Sequence, residues 1–238
     1  MCGRFTLKTP VANCLADLFP DWQNKSAVDS EIGNLANEVL VARSNIAPTQ
    51  PVLVVHSDSQ GQLTLESMRW GLLPAWADAM SAGYNMINAR SETLADKPSF
   101  RTSLVDKRCV ILADGYYEWK AITPKVKEPY WIHRPDKHVF GMAGLWAENR
   151  KIASQNLSVA PSIRSTTIIT TQSNADTESV HDRMPAILFT HKQISDWLSP
   201  TWNDKKHTDR LLEQLRPCEL GQLTLQPVSK ELFSTKQN

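Results

Sequence analysis

The chain has 238 residues, with 26 Lys and Arg against 25 Asp and Glu, and 41% hydrophobic against 21% charged residues. Such a chain can bury a sizeable core, and its near-neutral balance excludes a polybasic protein that coats nucleic acid indiscriminately. No run reaches the length a bilayer requires, the most apolar being Val139 to Trp146, and Met1-Cys2-Gly3-Arg4-Phe5-Thr6-Leu7-Lys8 lacks the apolar stretch of a signal peptide, so no membrane association and a cytoplasmic location are expected.

In chain order, Thr9 reads as an N-cap with Pro10 at the first helical position. Val11, Cys14, Leu15, Leu18 and Phe19 follow at near-helical spacing. Residues 20–43 are polar and mixed and read as a surface insertion. Pro51 to His56 and Gln62 to Trp70 are rich in Val, Leu and Thr around the turn residues Ser57-Asp58-Ser59-Gln60-Gly61, which predicts a hairpin. Further strands are predicted at Arg108 to Ala113, Tyr116 to Trp119, Tyr130 to His133, His138 to Trp146, Thr166 to Thr171, Pro185 to Phe189 and Gln222 to Pro227. Helices are predicted at Glu92 to Ala95, Ser99 to Lys107, Thr190 to Leu198 and Thr208 to Arg216. Strands outnumber helices in an irregular order, which predicts an α+β fold, β-rich, with a closed or strongly curved mixed sheet and peripheral helices. A single domain over 1–238 is expected, with residues 230–238 as a flexible tail.

Cys2, Cys14, Cys109 and Cys218 form no C-x-x-C pair, so neither a disulfide nor a zinc site is expected. His133 and His138 have no matching carboxylate or cysteine and read as surface or satisfied strand histidines rather than metal ligands. Cys14, Cys109 and Cys218 read as small buried hydrophobes. No cofactor is expected.

Cys2 differs from these because removal of Met1 would leave it with a free α-amine beside its thiol. Taken alone, a cysteine at this position is an ordinary terminal thiol. Its context is a set of segments dense in Asn, Glu, Arg, His and Trp: Asn45-Ile46-Ala47-Pro48, Arg69-Trp70-Gly71-Leu72-Leu73-Pro74-Ala75-Trp76, Ile87-Asn88-Ala89-Arg90-Ser91-Glu92, Ala113-Asp114-Gly115-Tyr116-Tyr117-Glu118-Trp119, Thr170-Thr171-Gln172-Ser173-Asn174, and His181-Asp182-Arg183-Met184-Pro185. With Cys2-Gly3-Arg4-Phe5, these ordered motifs resemble the SOS-response-associated peptidase family from Cys2 to about Ser229. The resemblance implies an abasic site processing activity, in which the initiator methionine is lost and the cysteine joins the abasic aldehyde in single-stranded DNA through a thiazolidine ring. It also implies catalytic roles for Cys2, Asn88, Glu118 and His181, with Arg4, Trp70, Arg90 and Thr170 near the DNA. The partner expected is single-stranded DNA bearing abasic sites, met by a monomer that is nucleoid-associated when bound.

The residue types suit that chemistry. An α-amine with a pKa of about 7.7–8.0 is partly neutral at pH 7 and can attack an open-chain aldehyde, after which the adjacent thiol can close a ring. Glu118 would shuttle protons, its alternative being an exposed strand glutamate, and alternation places Tyr116 on its face with Tyr117 and Trp119 opposite. His181 is either a second proton carrier or a satisfied polar group. Asn88 reads as positional, with a turn or helix-cap role as the rival because Ser91-Glu92 follow. Arg4, Arg69, Arg90, Arg101 and Arg108 are candidates for the basic patch, Trp76 reads as core, and Trp70 is a candidate base-stacking ring.

Two features depart from the family pattern: Ser44 precedes Asn45 where an aromatic is common, and the chain after Ser229 diverges. Two other readings of the chain are a cysteine peptidase whose N-terminal nucleophile removes its own leader, and a non-catalytic module that binds single strands. Peptide hydrolysis without an abasic substrate would mark the first. Tight binding that survives Cys2→Ala without a covalent adduct would mark the second.

Overall fold

The computed structural model describes residues 2–22, 30–155, 161–200 and 208–234. In chain order the strands are β1 (Arg4–Leu7), β2 (Arg43–Ile46), β3 (Pro51–Ser57), β4 (Leu63–Trp70), β5 (Asn88–Arg90), β6 (Arg108–Ala113) and β7 (Gly115–Thr123). After them come β8 (Val126–His133), β9 (Phe140–Asn149), β10 (Ile163–Gln172), β11 (Arg183–Pro185), β12 (Ile187–Leu188) and β13 (Thr224–Pro227).

Strands β10, β4, β3, β6 and β9 pair in that order, and β9 returns to pair with β10, so the ring closes into a barrel. The β10–β4 pair is parallel and the other four pairs are antiparallel, which makes the barrel mixed. The short strands β5 and β11 add to β10, and β12 adds to β9. A second, antiparallel sheet runs β13-β8-β7-β1-β2. The α+β, barrel-like expectation therefore holds. Closure removes the exposed edges that a five-stranded open sheet would leave.

The apolar run of β6 is buried at every position, because one face lines the barrel and the other is covered. Residues of both sheets join one core, from Val54, Val110, Leu145 and Ile168 in the barrel to Phe5, Tyr116 and Ile132 in the second sheet. Arg108 is buried in this covered layer and donates to the carbonyls of Leu104, Val105, Trp197 and Ser199. It thereby ties down the C-terminal ends of the Pro98–Asp106 and His191–Leu198 helices. A guanidinium committed to four carbonyls cannot meet a phosphate, which corrects its assignment to a DNA-facing patch.

The hairpin forms as expected, with Val54 opposite Glu66 and the Asp58 carboxylate accepting from the Gln60 and Gln62 amides at 2.8 and 2.9 Å. The first helix runs Val11–Leu18 with Pro10, not Thr9, at its N-cap position. Thr9 instead donates its amide and hydroxyl to the Asp114 carboxylate at 2.9 and 3.1 Å. Asp114 also accepts from the Thr6 hydroxyl and the Lys8 amide, so one buried carboxylate anchors the stretch from Thr6 to Thr9, the end of β1 and the residues after it. Of the polar segment 20–43, residues 23–29 lie outside the described residues. Ile32, Leu35 and Leu40 pack against the core and Val39 is buried in it. The end of the chain also docks: Lys230–Phe233 forms a single 3-10 turn, and the Phe233 ring packs on Tyr117 and Trp119, each at a centroid distance of 4.9 Å. Residues 235–238 lie outside the described residues. No helix among those described is long and apolar enough to cross a membrane.

Gly115 begins β7 opposite Thr6, and a Cβ there would lie 2.0 Å from Trp131 Nε1. That indole donates to Thr6 Oγ1 at 3.2 Å, stacks on His133 and carries Lys8 over its face. Gly115→Ala must displace this ring and loosen β1 with it. A loss of about 1–3 kcal/mol is expected in denaturant unfolding, the usual cost of overpacking a close-packed site.

Candidate active site at the amino terminus

Strand β1 pairs with β7 through Arg4–Tyr117, Phe5–Tyr116 and Thr6–Gly115, which carries Cys2 alongside the Tyr116-Tyr117-Glu118 segment. Cys2 is wholly buried, and its thiol donates to Arg4 O at 3.7 Å. Burial raises the Cys2 thiol well above its ordinary pKa, and the nearby Glu118 carboxylate adds to the rise.

Asn88 reaches Cys2 from the other sheet. It opens β5, whose parallel pairing with β10 sets Asn88 beside Ile168. Its Nδ2 donates to Cys2 O at 2.8 Å, and because a carbonyl can only accept, this contact settles which end of the amide points where. The Asn88 Oδ1 is buried with no hydrogen-bond partner among the described residues. An acceptor is thus left beside the Cys2 backbone.

Glu118 is 3% exposed. Desolvation by burial is the main cause that pushes its carboxyl up to about 7, against the lowering pull of the positive amino terminus. Tyr116 and Glu118 share one face of β7, while Tyr117 and Trp119 meet Phe233 on the other, as alternation requires. The Tyr117 hydroxyl donates to Ser44 O at 2.8 Å, so the position where an aromatic was expected serves here through its backbone.

His181 ends a loop that Asn174 secures by donating to the carbonyl and sulfur of Cys218 at 3.0 and 3.4 Å. Its Nδ1 lies 3.0 Å from the Arg183 amide and 2.8 Å from Asp182 Oδ1. These contacts ask for opposite protonation states. The amide is fixed by the backbone and only donates, whereas the Asp182 side chain is 86% exposed and solvated, so the amide decides and the proton sits on Nε2. Desolvation, then the amino-terminal charge, lowers the His181 pKa.

The SOS response associated peptidase (SRAP) family model matches residues 1–235. The chain belongs to this family. It is 37% identical over 238 residues to the abasic site processing protein YoqW of Bacillus subtilis, covering 100% of this chain and 96% of that one. It is 42% identical to the abasic site processing protein YobE of the same organism, over 89% of this chain and 88% of that one. The abasic site processing protein HMCES of Xenopus tropicalis is 31% identical over 73% of this chain and 55% of its own. A crystal structure of a Bacteroides thetaiotaomicron protein superposes with a TM-score of 0.74 over 97% of this chain and 93% of that one, at 22% identity, and shows the same fold.

Within this SRAP fold Asn88 contacts Cys2, and Glu118 and His181 lie within electrostatic range of the amino terminus, while the residues read as DNA-facing divide. Arg90 is exposed, and Arg4 is half-buried and donates to the neutral Asn45 amide oxygen at 2.8 Å. Thr170 is wholly buried, with its carbonyl and hydroxyl both accepting from Arg183, so it faces a guanidinium rather than solvent. Trp70 is also wholly buried, set edge-on to Phe5 and donating its indole N–H to Ile87 O at 2.9 Å. Neither side chain meets a base in this arrangement. Trp76, expected in the core, is 59% exposed instead. Residues singled out by the structure but not by the sequence are Tyr116, Asn174 and the pair Arg183–Glu92, which is bidentate. Their signal lay in the motif segments themselves, without anything to separate site from scaffold.

Proposed function

We propose that this chain processes abasic sites in single-stranded DNA and cross-links to them through Cys2 once Met1 has been removed. The observation that carries the reading is the convergence on Cys2 of an Asn88 amide held by one sheet and a buried, part-protonated Glu118 held by the other.

The steps balance without a cofactor. Glu118 gives a proton to the ring oxygen of the abasic sugar as the C1′ hydroxyl loses one, and the ring opens to the aldehyde. The neutral Cys2 amine adds to C1′, with the orphaned Asn88 Oδ1 available to accept from it. The carbinolamine hydroxyl takes a proton from Glu118 and departs as water, leaving a protonated imine and a Glu118 carboxylate. The Cys2 thiol then gives its proton to the Glu118 carboxylate as its sulfur bonds to C1′, and the C=N electron pair moves to nitrogen, which keeps the proton it already holds. The product is a thiazolidine, and one water is released in all. Arg4 and Arg90 supply positive charge for the phosphates on either side.

Purified protein should show a mass lacking Met1, and mixing it with single-stranded DNA bearing one abasic site should give a shifted band on a denaturing gel. No band from protein that lacks Met1 would overturn the reading. Peptide hydrolysis in its place would turn the assignment to a peptidase.

A further inference from the structure

Tyr116 stands at the site without a task. Its side chain is wholly buried, yet its hydroxyl finds no hydrogen-bond partner among the described residues. It shares a β7 face with Glu118 and pairs in register with Phe5, three residues from Cys2. The ring belongs to the core, and its hydroxyl lies within electrostatic range of Cys2 and Glu118. A buried hydroxyl left unbonded costs stability that a phenyl ring of the same shape would not. The cost is recovered if an acceptor arrives with the substrate.

We infer that the Tyr116 hydroxyl is a catalytic hydrogen-bond donor to the oxygen on C1′, an inference that rests on the abasic-site reading of this site. As the Cys2 amine bonds to C1′, the C=O electron pair moves onto that oxygen. Tyr116 donates to the oxygen while it carries charge, without giving up its proton. The oxygen takes one proton from the added nitrogen and a second from Glu118 and leaves as water, and Tyr116 is again without an acceptor. Burial and the neighbouring acids keep its hydroxyl pKa well above the ordinary value, so it remains a neutral donor throughout the working pH range. A donor aimed at developing charge in a dry site acts far more strongly than one in water.

The test is Tyr116→Phe beside wild type, with single-stranded abasic DNA, following adduct formation over time and melting each protein without DNA. Tyr116→Phe should form adduct about 10²-fold more slowly, the usual loss for one such donor, while melting no lower than wild type. Adduct formation at the wild-type rate overturns the inference. Should Tyr116→Phe melt lower, replacing Tyr116 with difluorotyrosine restores the shape with a stronger donor. Wild-type rates below the pH at which that hydroxyl ionises then uphold the inference, and the slow rate of the phenylalanine variant overturns it. A wild-type protein that gives no band sinks the functional reading itself, an outcome distinct from equal rates in the two proteins.

Discussion

Glu118→Gln should slow adduct formation by about 10²–10⁴-fold, the range for losing a general acid–base group, while leaving reversible DNA binding nearly intact. The pH dependence sharpens the expectation. Wild type needs a protonated Glu118, whose burial puts its pKa at about 7. It also needs a neutral α-amine, whose ordinary pKa is about 7.7–8.0. The two demands oppose each other, so the rate should rise and then fall with pH, with its maximum between the two values. In Glu118→Gln the alkaline fall should vanish and only the rise through the amine should remain. Wild-type rates in the glutamine variant would remove Glu118 from the mechanism.

The same substitution should stabilise the protein. The Glu118 pKa moves from 4.5 to about 7 on folding, so between these values the folded state binds more protons than the unfolded one. The favourable state of this group is thus fully present below about pH 4.5 and is lost as pH rises to 7. At about 1.4 kcal/mol per pKa unit, the loss above pH 7 comes to about 3–4 kcal/mol. Melting at pH 8 should therefore show Glu118→Gln more stable than wild type, with the difference shrinking towards pH 4. A catalytic carboxylate held in a buried site at a cost to folding is distinguished in this way from one that merely fills space.

Cys2→Ser should abolish the heat-resistant adduct while leaving an imine that borohydride can trap. The amine and the sulfur perform different steps: the amine makes the imine, and the sulfur closes the ring. A serine hydroxyl is a weaker nucleophile and closes a less durable ring. Cys2→Ala should also leave the imine, free to reverse or to undergo elimination and cut the strand. Wild type should give a band that survives heating with no reductant present. Equal amounts of durable adduct from Cys2→Ser would refute the thiazolidine step and favour a simple amine lyase.

The two variants also bear on burial. Cys2 is wholly enclosed and its thiol pKa is raised, so the sulfur enters the reaction as a protonated group needing a base at hand. Glu118, having delivered its proton to the departing water, is then the carboxylate that can take the thiol proton. Its pKa near neutrality lets it serve both directions.

The sequence by itself determined the elements whose pattern is long or chemically marked. The Pro51–Trp70 hairpin follows from β-branched runs around a turn, the Val11–Leu18 helix from its apolar spacing, and the pairing of Tyr116 with Glu118 on one face from the period of a strand. The ordered motifs also make Cys2, Asn88, Glu118 and His181 the candidate site residues, and the variants of Cys2 and Glu118 test those two roles. Only the tertiary structure decided the rest. Strands β1, β2 and β5 are three or four residues long, too short for a period to register, and they exist because β7, β1 and β10, respectively, offer them backbone partners. Trp70 and Trp76 belong to one motif that carries no signal of which is enclosed: Trp70, a candidate stacking ring, is buried, and Trp76, which reads as core, is exposed. Between them Gly71 takes φ 122°, where a Cβ would meet Gly83 O at 2.7 Å, and that turn leaves Trp70 against Phe5 and Trp76 in solvent. The roles of Thr170 and Arg108 changed for the same reason: whether a hydroxyl or a guanidinium faces water or a buried partner depends on chain segments remote in sequence. Local composition carries propensity and spacing, whereas burial is a property of how distant segments meet.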